Sequence, residues 1–103
     1  MRTVVLDDGP EFGVDALIVA PRFIARADLY EQLGGTLTEH PNGLFIAAGP
    51  MGQTELPGVW AAGNASDLAA MVSVAAGAGV VAAAAINADL VAQDAGAAVR
   101  ARR

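Results

Sequence analysis

Apolar and polar positions along the chain alternate in blocks that predict short strands first and a long helix last. Thr3-Val4-Val5-Leu6 is β-branched and apolar, Asp7-Asp8-Gly9-Pro10 is a turn cluster, and Asp15-Ala16-Leu17-Ile18-Val19-Ala20 is a second strand-like run that stops at Pro21. Between Ala27 and Leu33 the apolar positions Leu29, Tyr30 and Leu33 recur at helical spacing, and Gly34-Gly35 supplies a C-terminal stop. Thr36-Leu37-Thr38 and Leu44-Phe45-Ile46 flank His40-Pro41-Asn42-Gly43, where Asn-Gly between two β-like runs signals a hairpin. After a polar loop at 53–58, Val59-Trp60-Ala61-Ala62 reads as a brief strand running into a tight turn at Gly63-Asn64. A long helix follows, starting between Ser66 and Met71 and ending near Asp94 with Gly96 as its stop.

Leu68 to Ile86 is 19 residues without a charge, long enough to admit a membrane span. Most of it is Ala and Gly, which gain little from lipid, so a core helix approached closely by other backbones is the better expectation. Gly77-Ala78-Gly79-Val80-Val81-Ala82 also matches the G-x-G-x-x-G/A spacing of a dinucleotide turn. The run before it is a poor strand, and no later strand brings an acidic residue, so that match carries little weight. Gly77 and Gly79 in mid-helix each cost roughly 1 kcal/mol relative to Ala, and close packing is the reason expected for them.

Composition narrows the function classes. The chain has 103 residues, 54% hydrophobic and 17% charged, which allows one core and suggests a piece made for burial. A net charge of -5 argues against nucleic acid or an anionic membrane surface as partner. With no cysteine, neither a disulfide framework nor a Cys-x-x-Cys redox pair can form within the chain. The first ten residues do not read as a signal peptide, which makes a cytoplasmic location the expectation. His40 stands beside Pro41 as a turn residue, Ser66 and Ser73 have no histidine partner for nucleophilic catalysis, and Arg100, Arg102 and Arg103 form a solvated tail.

Leu56-Pro57-Gly58-Val59-Trp60-Ala61-Ala62-Gly63-Asn64, with Thr54 before it, resembles the T-x-x-P-G-V-[FWY]-A-x-G-[DN] pattern that closes the flavin domain of thioredoxin reductases and related pyridine nucleotide-disulfide oxidoreductases. Upstream, Val4 to Gly9 and Asp15 to Ala20 resemble the strand pair leaving the nicotinamide domain, and Leu29 to Gly34 the short helix after it. Downstream, Ala75 to Gly79 and Ala82 to Ala84 resemble the small-residue helix under the isoalloxazine. The resemblance implies an α/β fold: a partial, Rossmann-like FAD/NAD(P)-binding domain with a small mixed sheet at residues 2–62, β-hairpins and a long C-terminal helix laid against the sheet. Residues 1–26 would correspond to the exit from the NAD(P)H domain and 27–103 to the C-terminal portion of the FAD domain, forming one partial domain.

The implied function is FAD-dependent NAD(P)H oxidation, with this chain as the C-terminal flavin-contacting segment, inactive alone. Gly63, Asn64, Met71 and Val72 are the implied cofactor-binding residues, with no catalytic or metal-ligating residue. The family usually has Asp where Asn64 stands, accepting from a ribityl hydroxyl, and Asn can accept through its carbonyl oxygen and also donate. The backbone N–H of Val72 would meet the pyrimidine edge; Met71 departs from the family's usual Gln, leaving only a backbone contact there. Local readings stand beside these: Asn64 as a left-handed turn residue, Ser66 and Asp67 as simple helix caps. The chain lacks the N-terminal G-x-G-x-x-G, the NAD(P)H domain and the Cys pair, so its expected partners are FAD and the missing N-terminal half, a partner chain or a second copy. The alternatives are a non-catalytic remnant or interaction module and, less favoured, a small membrane-anchored protein.

Overall fold

In the computed structural model, which describes residues 2–102, two small sheets precede one long helix. β1 (Arg2–Val5) and β2 (Glu11–Val14) pair antiparallel, Val5 opposite Glu11, across the Asp7–Pro10 turn. The expected strand at 15–20 does not form; the pairing partner of β1 is the segment before it. Strand-like composition there has no neighbouring ladder to join, and Ile18 is 97% exposed.

The second sheet has three strands, β3 (Phe23–Ile24), β4 (Thr38–His40) and β5 (Gly43–Phe45), in the order β3-β5-β4. β4 and β5 form the expected hairpin, with His40 opposite Gly43 and Pro41-Asn42 as its two-residue loop. β3 adds in parallel to β5, a strand the sequence pattern did not reveal because two residues carry no period. The Phe23 N–H donates to the Asn42 carbonyl at 2.8 Å. Gly43, at φ 152°, is obligatory: a Cβ there would overlap the Phe23 carbonyl.

α1 (Asp28–Gln32) turns Tyr30 inward onto Ala27 and Ile46, and these three residues form a buried cluster, with Ala82 buried elsewhere. Leu37, Leu56, Val59, Ala61 and Ala65 pack around them while half-buried. Gly35 lies under the Tyr30 ring, with no room for a Cβ. Val59 to Ala62 is not a strand; Trp60 makes a single bridge to Gln53, and Ala61 N–H donates to the Gly52 carbonyl at 2.8 Å.

α2 (Val72–Ala101) is 30 residues long, about 45 Å at 1.5 Å per residue. It starts later than expected and runs through Gly96, which is tolerated inside a helix of strong formers. Ala75, Ala78, Ala82 and Ala85 form its half-buried or buried stripe, and the helix rests chiefly on the 3-10 turn Gly63–Ala65 rather than on a sheet. The remaining faces are open, with Val72, Val74, Val80, Val81, Leu90, Val91 and Val99 all exposed.

The molecule measures 76 × 28 × 18 Å with a radius of gyration of 20.4 Å, against about 13 Å for a compact chain of 100 residues. Its accessible surface is 7962 Å², against roughly 5,400 Å² for a folded monomer of this mass. An excess of that order is as much as an obligate interface buries. The expected α/β composition is present, with a mixed three-stranded sheet, hairpins and a long C-terminal helix, but the strands form two separate sheets and the helix packs chiefly on the 3-10 turn instead of on one sheet.

Candidate functional site

The segment 59–72 bears all four residues singled out in the sequence. Ala62 is extended, and Gly63 turns the chain at φ 82°, a left-handed conformation that favours glycine. Its carbonyl accepts from the Ser66 and Asp67 N–H groups at 3.0 and 2.9 Å, closing the 3-10 turn. Ile46 N–H donates to the Ala65 carbonyl at 2.7 Å, which anchors the turn to the end of β5. A Cβ on Gly63 would stand 3.5 Å from that of Ala75, so the turn sits directly against the first turns of α2.

Asn64 lies inside the 3-10 turn with negative φ, which removes the reading of it as a left-handed turn residue. Its side-chain Nδ2 donates to the Ala70 carbonyl at 2.8 Å and to the Asp67 carbonyl at 3.4 Å. Both contacts use the donor end of the amide, so Oδ1 remains as its accepting atom.

Ser66 and Asp67 do not cap α2. The Ser66 hydroxyl donates back to the Gly63 carbonyl at 3.2 Å, and Asp67 Oδ1 accepts from Ala69 N–H at 3.0 Å in a local turn. Residues 67–70 are spent in that turn, which moves the helix start to Val72. Met71 is the N-cap, with extended backbone at φ -84° and ψ 170°, and its side chain makes no capping bond. The first helical hydrogen bond runs from Ala75 N–H to the Met71 carbonyl at 2.8 Å, so Val72, Ser73 and Val74 N–H have no acceptor within the helix. No acidic side chain occupies the first turn. Met71 and Val72 are 77% and 89% exposed, which leaves this positive helix end open.

A solvent-open cleft of about 300 Å³ adjoins the turn, lined by Ile24, Ala25, Arg26, Asn64, Ala65 and Leu68. Ile24 of β3 and the two residues after it form one wall, held by Ala25 N–H donating to the Leu44 carbonyl at 3.0 Å. A second, smaller cleft of about 180 Å³ has His40, Phe45, Ser66 and Asp67 among its lining residues. His40 Nδ1 accepts the Asn42 N–H at 3.0 Å, and its ring meets Phe45 edge-on at 6.2 Å, consistent with a turn role.

Thr54, the threonine of the T-x-x-P pattern, and Glu55, which no sequence motif marks, are structural residues. The Thr54 hydroxyl donates to the Val59 carbonyl at 2.8 Å and accepts the Leu56 N–H at 3.2 Å, shaping the Pro-Gly loop. Glu55 Oε1 accepts from Thr36 N–H at 3.1 Å, Thr36 Oγ1 at 3.2 Å and Tyr30 Oη at 3.3 Å. The Thr36 backbone and hydroxyl donors, with smaller help from Tyr30, hold the Glu55 carboxyl below its ordinary pKa. Burial and then the Glu55 charge push the Tyr30 phenol up. Gly77 and Gly79 have nothing within 4 Å of a would-be Cβ, so no packing among the described residues explains them, contrary to expectation. No three His, Cys, Asp or Glu among the described residues are grouped so as to hold a metal.

No family model matches the sequence, and no curated protein does. Among solved structures, the oxidoreductase from Agrobacterium tumefaciens is similar, with a TM-score of 0.70 and 34% identity over 86% of this chain. The match spans 30% of that protein's length. Over this segment the chain therefore has the fold of part of an oxidoreductase.

Proposed function

We propose that this chain is the C-terminal, flavin-contacting segment of an FAD-dependent NAD(P)H oxidoreductase of the thioredoxin reductase-like type, working in the cytoplasm. The observation that carries this reading is that Asn64, which lines the cleft beside the 3-10 turn, is bonded to the Ala70 carbonyl immediately before the open N-terminus of α2. The residues fit one end of the cofactor. Free N–H groups of Val72 to Val74 and the helix dipole suit the carbonyl edge of an isoalloxazine, with Met71 contributing backbone alone. Asn64 Oδ1 suits a ribityl hydroxyl, and Gly63 lets the turn come close to α2. When bound, the flavin accepts hydride from NAD(P)H; the chain's own residues bind and orient it.

The rest of such an enzyme would supply the pyrophosphate turn and the nicotinamide site. Its natural place is on the open faces of α2 and on residues 15–24, where Leu17, Ile18, Val19, Phe23 and Ile24 are all exposed.

A membrane reading has one observation in its favour, since α2 is long and apolar enough to cross a bilayer, with only 6% of its apolar window buried. Its uncharged part, however, runs only from Val72 to Ala88, about 25 Å and short of the ~30 Å hydrocarbon core. Absorbance of the natively purified chain over roughly 350 to 500 nm, followed by titration with FAD, tests the proposal, because the chemistry is assigned to the cofactor. A flavin spectrum or a saturable response supports it. Absence of both, with the fold intact, favours a non-catalytic module, and solubility that depends on detergent favours the membrane.

A further inference from the structure

We infer that Asn64 is a positioning residue, an amide clamp that sets the N-terminus of α2, and that the inward contact requires a donor that an aspartate would lack. Its Nδ2 reaches across six residues to the Ala70 carbonyl at 2.8 Å and also meets the Asp67 carbonyl at 3.4 Å. Ala70 immediately precedes the N-cap Met71, so this bond ties the Gly63–Ala65 turn to the place where α2 begins. The neighbouring side chains do not share this role. Met71 makes no cap, Ser66 bonds back to Gly63, and the Asp67 carboxylate is held by Ala69 N–H.

A carboxylate of the same shape at position 64 would set an acceptor against the Ala70 carbonyl oxygen, with no proton between them. The amide resolves this by splitting its two ends: Nδ2 holds the loop, and Oδ1 remains an acceptor. The clamp matters to function only through the flavin reading above, whereas its existence can be tested with no flavin present.

The test is amide hydrogen exchange on the full chain, read at Ala70 and Ala75, whose N–H groups bond to Asp67 and Met71 across the clamped segment. Asn64→Asp and Asn64→Ala are each compared with the parent at neutral pH and near pH 3. At neutral pH both substitutions are expected to speed exchange at these sites roughly five- to tenfold, the size of one lost hydrogen bond. Near pH 3 the introduced carboxyl is largely protonated and can donate to Ala70 again, so N64D recovers parental protection while N64A does not. Arg26, across the shared cleft, and the α2 N-terminus favour the ionised carboxyl, whereas Asp67 and the Ala70 carbonyl favour the protonated one. Parental protection in N64D at neutral pH, or failure of N64D to recover on acidification, would overturn the clamp. FAD titration of the same variants reports separately on the flavin reading.

Discussion

The Glu55 carboxylate and the Thr36 backbone N–H, 3.1 Å apart, join the Pro-Gly loop to the segment that enters β4. The same oxygen accepts from the Tyr30 hydroxyl, so one acidic side chain ties the loop to the core of α1. Because these donors depress the folded-state pKa of Glu55, its contribution is present above the unfolded carboxyl range and is lost as pH falls through the lower folded value. Acid titration of stability should therefore be shallower below about pH 4.5 in Glu55→Gln than in the parent. Circular dichroism melts across that range check it.

Gly43→Ala is expected to be severe, since a methyl would meet the Phe23 carbonyl on a backbone at φ 152°. A loss of roughly 2–3 kcal/mol is the order associated with such sites, and chemical denaturation of the variant measures it.

Gly77→Ala should do the opposite in this chain by itself. Its Cβ would meet nothing within 4 Å, and the helix gains about 1 kcal/mol from replacing the glycine. If the open face of α2 docks a partner, the same variant should weaken that docking. A rise in Tm for the isolated chain is the outcome to look for.

Large exposed apolar side chains on α2 and residues 15–24 make self-association in the isolated chain the expected behaviour. Light scattering against concentration should show growth beyond the 10.3 kDa monomer, and a strictly monomeric chain at high concentration would count against an unpartnered apolar surface.

Local signals in the sequence were legible where chemistry is local. Asn42-Gly43 marked the hairpin, Leu29, Tyr30 and Leu33 marked α1, and Gly63 marked the turn. Long-range pairing was not. β2 sits at Glu11–Val14 because the Asp7–Pro10 turn sets the register, although 15–20 has the better strand composition. The start of α2 was blurred because Ser66 and Asp67 look like caps, yet their side chains close local turns. The site residues Gly63 and Asn64 were visible through the motif and Met71 and Val72 through the wider resemblance, while the Asn64 bond to Ala70 depends on how residues 65–69 turn, which no residue pattern marks.

The most direct measurement is flavin titration of the full chain beside Val72→Pro, followed by the quenching of flavin fluorescence. Proline is accommodated at the first helical position, and Met71 already has the extended backbone that precedes proline. The substitution thus removes the N–H assigned to the isoalloxazine and keeps α2. Saturable quenching is expected for the parent, with about tenfold weaker affinity in V72P at unchanged helix content, as for one charge-assisted or well-aligned hydrogen bond. Equal affinity in both chains, or no saturable response in the parent, would contradict the flavin-contacting role.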